Sequence, residues 1–162
     1  MIKKRSIILM LAVFISAVCL FGCGVDDINV SGYQNMSITL SGLEGGDRSM
    51  TVKDLKEMEC VTKKTHSTSD KIGEVRATGP LLDTVLEPYG VSQSEFSKVK
   101  IYAKDDYAIT LSKDILDEKE MILAFGMDGM PLDEEDKPVR IIIPESDSAY
   151  WIRMVEKIEF IK

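Results

Sequence analysis

Beyond residue 35 the chain never runs more than five apolar residues in a row before a polar residue, a glycine or a proline interrupts it, and most apolar positions alternate with polar ones. Alternation with a period of two buries one face of a strand, and the helical patterns between such stretches are only one or two turns long. The expected fold class is therefore α+β, a mixed β-sheet of short strands with three or four short helices.

Met36, Ile38 and Leu40 face one side of a first strand. Thr51 heads a short helix over residues 52–58, with Asp54 in the reciprocal position of a capping box and Leu55 and Met58 as its buried residues. Residues 60–67 and 73–78 read as a hairpin across Ser69-Asp70-Lys71. Gly79-Pro80 is expected to open a second helix, with proline at the first helical position and Leu81, Leu82, Val85 and Leu86 as the core stripe. Ser92 and Glu95 cap a single helical turn, and Val99, Ile101 and Ala103 form a strand that turns at Asp105-Asp106 into Tyr107, Ile109 and Leu111. Ser112 caps a further short helix. Residues 121–125, apolar throughout, predict a central strand buried on both faces. Asp128-Gly129 is a tight turn, and residues 139–143 and 151–161 supply the last strands.

The N-terminus carries a different signal. Lys3, Lys4 and Arg5 precede an apolar run over residues 7–21, the form of a signal peptide occupying residues 1–22. Its 15 residues fall short of the roughly 20 that a spanning helix needs. Leu20-Phe21-Gly22-Cys23 resembles a bacterial lipobox, which implies cleavage before Cys23 and a diacylglyceryl thioether on its sulfur. Two acyl chains give stable anchoring, so the expected location is extracytoplasmic, lipid-anchored to the membrane without spanning it. Residues 24–35, with Cys23 ahead of them, read as a polar tether lifting a domain of residues 36–162 off the bilayer. Removing residues 1–22 takes three of the 20 basic residues and none of the 27 acidic ones, leaving a net charge of −10. Such a surface repels nucleic acid. The remaining 140 residues suffice for one core and not two. Cys60 is then the one cysteine besides Cys23, which excludes an intramolecular disulfide.

Four stretches carry a family resemblance. Thr78-Gly79-Pro80-Leu81-Leu82-Asp83-Thr84-Val85-Leu86 is similar to a Gly-x-Pro-Leu-x-x-Leu-Leu helix start, and Ala103-Lys104-Asp105-Asp106-Tyr107 to an Ala-x-Asp-Gly-Tyr turn. Leu123-Ala124-Phe125-Gly126-Met127-Asp128-Gly129-Met130-Pro131-Leu132 is similar to Leu-Ala-Tyr-x-x-Asn-Gly-x-Pro-Leu. Lys137-Pro138-Val139-Arg140-Ile141-Ile142-Ile143-Pro144 is similar to Gly-x-Pro-x-Arg-Leu-Val-Val-Pro, with Tyr150-Trp151-Ile152 where Lys-Trp-Leu would follow. In this order, over residues 38–161, they resemble the molybdopterin-binding domain of the sulfite-oxidase-type oxidoreductases. The resemblance implies that fold, with a mixed sheet and short helices. It also implies that catalytic members hold molybdenum through a cysteine thiolate before the Gly-x-Pro-Leu helix, a soft anionic sulfur suited to the metal. That position falls around residues 67–70, where no cysteine stands. Arg140 matches the arginine of the phosphate grip, whereas Tyr150 replaces the lysine beside Trp151.

Each candidate residue has a bland reading beside the functional one. Cys60 is either a metal ligand or a buried free thiol at a strand start. His66 is the only histidine, which excludes a His-based triad or a multi-histidine metal site; it is expected on an exposed strand. The acidic runs at residues 118–120 and 133–136 lack the spacing of a calcium loop and are expected as solvated loops. Arg140, inside an apolar strand, requires either an ion pair or a bound anion. Tyr107, Tyr150 and Trp151 either line a shallow aromatic pocket or pack in the core. Three functional readings follow. The first is a lipid-anchored, non-catalytic module that binds a small ligand or an envelope protein, with no cofactor. The second is a molybdopterin-dependent oxidoreductase that uses Cys60 as its metal ligand. The third is an accessory domain that docks to an envelope redox partner.

Overall fold

The computed structural model describes residues 24–69 and 72–162. The segment expected as a signal peptide, the expected lipidation site Cys23, and Asp70 and Lys71 of the expected hairpin turn lie outside the described residues.

Among the described residues, eleven short strands alternate with three short α-helices and three 3-10 turns, β1 (Ser37–Ser41) and β2 (Arg48–Thr51) coming first as an antiparallel pair. The Thr51 hydroxyl accepts from the Asp54 N–H at 3.1 Å and the Asp54 carboxylate accepts from the Thr51 N–H at 2.8 Å, so the capping box starts α1 (Val52–Glu57) as expected. Val52 and Leu55 are its buried residues, and Met58 is only partly covered. β3 (Cys60–Thr65) and β4 (Val75–Pro80) form the predicted hairpin, with Cys60 opposite Pro80. After α2 (Leu82–Leu86) come β5 (Lys98–Ala103), β6 (Ala108–Ser112) and α3 (Lys113–Glu118). β7 (Ile122–Ala124), β8 (Gly126–Met127), β9 (Met130–Pro131), β10 (Arg140–Ile142) and β11 (Val155–Ile161) complete the chain.

The strands form a five-stranded sheet in the order β2-β1-β11-β5-β6, a four-stranded sheet β3-β4-β8-β9, and the pair β10-β7. β1 and β11 run parallel and the other pairs antiparallel, which makes the large sheet mixed. β7 is buried at every residue, as its unbroken apolar run requires. Beside its pairing with β10, it meets the end of β4, where Phe125 N–H donates to Thr78 O and Leu82 N–H to Met121 O. No helix among the described residues is long and apolar enough to cross a membrane.

Three expectations are overturned. Residues 24–35 are not a free tether: Ile28, Val30 and Tyr33 are buried in the core. Ile28 lies over Gly126, where a Cβ would stand 2.6 Å from its Cγ1. The Tyr33 hydroxyl donates to Phe125 O and accepts from Leu132 N–H. Polar neighbours hid these three apolar residues, whose spacings of two and three share no single period. Next, Gly79-Pro80 does not open a helix; both residues end β4 and the helix starts at Leu82. A Cβ on Gly79 would stand 2.1 Å from Leu123 O, so glycine is what lets the β7 backbone close on β4. Finally, the run at residues 133–136 is not wholly solvated, because Asp136 is buried.

Candidate active site

Asp136 is buried because two cations meet it. Arg140, projecting from β10, places Nη1 3.2 Å from one carboxylate oxygen, and Arg153 places Nε 2.5 Å from the other. Arg153 also reaches Glu135 at 3.0 Å. The hydrogen bond to Asp136, reinforced by Glu135, holds the Arg153 guanidinium above its ordinary pKa. A charge taken out of water needs such partners, and here one carboxylate serves two strand ends. Of the two readings for Arg140, the ion pair is the one present. Its Nε is buried with no partner among the described residues.

The aromatic residues are partly brought together. Tyr107 and Trp151 line one cleft of about 180 Å³, with Asp105, Ser148, Ile152 and Arg153. Trp151 is buried, its indole N–H donating to Ile143 O at 2.8 Å, whereas Tyr107 is 48% exposed. Trp151 thus satisfies both readings at once, core residue and cleft wall. Arg140 and Tyr150 are not among the walls, and Tyr150 packs against the core. Arg153, rather than the expected Arg140, is the arginine at the cleft. Its one signal is its position two residues after Trp151, at a bend ahead of β11. Larger depressions flank α2, but Asp83 and Glu95 there accept the N–H groups of Gln93 and Ser92 and serve the backbone.

Beside this cleft lies the segment where the resemblance implies a metal-binding sulfur. Ser67 Oγ is 3.0 Å from Ser69 Oγ and donates to Ser146 O at 3.2 Å, Ser69 Oγ is 2.7 Å from Ser148 Oγ, and Thr68 N–H donates to Ser146 O at 2.9 Å. These hydroxyls are hard donors already engaged with one another. Cys60 starts β3, and at ~3.3 Å per residue about 17 Å of strand separates it from Thr65 at the other end. Its Sγ contacts Leu55 O at 3.5 Å, and burial pushes its pKa up to about 11, with Lys56 opposing. Among the described residues no group of three His, Cys, Asp or Glu side chains is placed to hold a metal ion. His66 is exposed just beyond β3. The donor set does not fit a molybdenum centre. The phosphate grip is no better supplied, since Arg140 and Arg153 are neutralised by carboxylates and a single unpaired N–H is not a convergent set of donors.

Comparison with known proteins places this geometry. A family model described as the oxidoreductase molybdopterin binding domain matches residues 27–162, beginning within the packed N-terminal segment. The search of curated proteins finds no match. Among solved structures, the crystal structure of the sulfane dehydrogenase SoxCD from Paracoccus pantotrophus is similar, with a TM-score of 0.66 at 16% identity. The match covers 79% of this chain and 38% of that one, so the chain spans well under half the length of the enzyme it matches. At that identity the likeness is one of fold.

Proposed function

The chain belongs to the oxidoreductase molybdopterin binding domain family, and from that premise we propose that it is a non-catalytic member, anchored outside the cytoplasm through lipid on Cys23, that binds a small ligand or an envelope protein. The observation carrying this reading is the serine-filled position beside the Tyr107–Trp151 cleft. Hydroxyls occupy the segment where the family's metal would need sulfur, and Cys60 starts β3, at the opposite end of that strand from this segment. The cleft offers an aromatic wall, the Asp105 carboxylate and the edge of Arg153, which suits a small polar molecule. Among the described residues it offers no nucleophile paired with a base.

The rival reading is a molybdopterin-dependent oxidoreductase with Cys60 as metal ligand. The test is to express the full chain in a bacterial host that makes the cofactor and to measure molybdenum per chain, with Cys60→Ser alongside. Molybdenum well below one per ten chains in both proteins is the expected result. Stoichiometric metal lost in Cys60→Ser would establish the enzyme reading and end the non-catalytic one. The docking reading predicts pull-down of an envelope redox protein by the intact chain, lost on Tyr107→Ala.

A further inference from the structure

From its first residues the N-terminal segment is fastened rather than free. Asp26 N–H donates to Thr62 Oγ1 at 2.9 Å, and its carboxylate meets Arg76 at 2.7 Å. Lys56 grips both the Asp27 carboxylate and the Ile28 carbonyl, and Ile28 is seated on Gly126. Only Gly24 and Val25 stand between Asp26 and Cys23 in the sequence. Three residue steps span at most about 11 Å. An anchor on Cys23 therefore cannot lift the domain away from the bilayer.

The surface around Asp26 is suited to that closeness. Gly129, in the β8–β9 turn, lies against Asp26, with Oδ2 3.9 Å from where a Cβ would be. Next to Gly129 is Met130, 64% exposed, and next to Asp26 is Val25, 45% exposed. These are two of the four large hydrophobic residues most exposed among the described residues. Beside them Asp26 pairs with Arg76 and Asp27 with Lys56, while the exposed Asp128 of the turn accepts the Arg76 backbone N–H, so most of the charge at this face is neutralised within the fold.

We infer that the domain lies face-down on its membrane, with the β8–β9 turn and Val25 resting in the headgroup layer. The inference deepens the anchoring reading and rests on Cys23 carrying lipid. It assigns residues 24–33 the role of a short strap that fixes orientation, leaving ligands and partners to reach the domain from its other sides.

The test uses the full chain, processed in a bacterial host, purified in detergent and reconstituted into phosphatidylcholine vesicles containing one-fifth phosphatidylglycerol. In a Cys60→Ser background, an environment-sensitive fluorophore is attached at Met130→Cys or, on the far edge strand, at Thr110→Cys, and quenching by brominated lipid is measured. Mass spectrometry of the same samples reports the lipid on Cys23 separately. The expected result is at least threefold more quenching at 130 than at 110, falling to parity when twelve Gly/Ser residues are inserted between Gly24 and Val25. Equal quenching at both positions in a chain that carries lipid overturns the face-down orientation and leaves the anchor standing. A chain without lipid overturns both.

Discussion

If residues 24–33 are part of the core, deleting one oxygen from Tyr33 destabilises the whole domain. Tyr33→Phe conserves volume and leaves the ring under Lys137 Nζ, 4.9 Å from the centroid, so packing and the cation–ring contact persist. What goes is a hydroxyl, 4% of the residue being exposed, that both donates to Phe125 O and accepts from Leu132 N–H. Each backbone group stranded away from water costs about 1–3 kcal/mol, and two of them, partly relaxed, give about 2–4 kcal/mol. For a domain of this size roughly 3–4 °C of Tm goes with each kcal/mol, so Tm should fall by about 10 °C. Urea unfolding of residues 24–162, followed by far-ultraviolet circular dichroism, measures the loss directly. Tyr107→Phe, whose exposed hydroxyl makes only a 3.5 Å contact with Ala149 O, is the control and should change stability by less than about 0.5 kcal/mol. A Tyr33→Phe loss as small as the control's would refute the buried-strap account and restore the free tether.

The other expectations concern β4, Cys60 and Asp136. Gly79→Ala drives a methyl into Leu123 O and should cost about 3 kcal/mol or more, read as a lowered urea midpoint; an unchanged midpoint would mean that β7 does not press on β4. With its pKa raised from 9.0 to about 11, Cys60 has a thiolate fraction at pH 8 about a hundredfold below that of the urea-unfolded chain, and its disulfide exchange should be about tenfold slower or more. The sign for stability follows: the raised value means that the contribution is complete below pH 9 and lost as pH climbs toward 11, so Cys60→Ala should flatten the alkaline limb of the stability profile. Asp136→Ala leaves Arg140, its side chain 15% exposed, without its carboxylate, and should cost about 2–4 kcal/mol by the same denaturation. Restoration by Arg140→Met in that background would identify the stranded charge as the cause.

Local chemistry was legible in the chain wherever a few neighbours decide it. The Thr51/Asp54 and Ser92/Glu95 boxes are complete within four residues, the β3–β4 and β5–β6 hairpins follow from alternation about a turn, and within the apolar run 121–125, buried throughout, residues 122–124 form a strand. The family and the α+β architecture followed from the order of such segments. Mistakes arose where a distant partner chose the outcome. Gly79 reads as a helix start until Leu123 O is seen above it, Ile28 reads as tether until Gly126 makes room for it, and Asp136 reads as solvated until Arg140 and Arg153 close on it. Periodicity and capping are properties of backbone geometry over one or two turns, so a sequence carries them openly. Burial of a lone apolar residue or a lone carboxylate is a property of what lies opposite in space, so only the folded chain determines it.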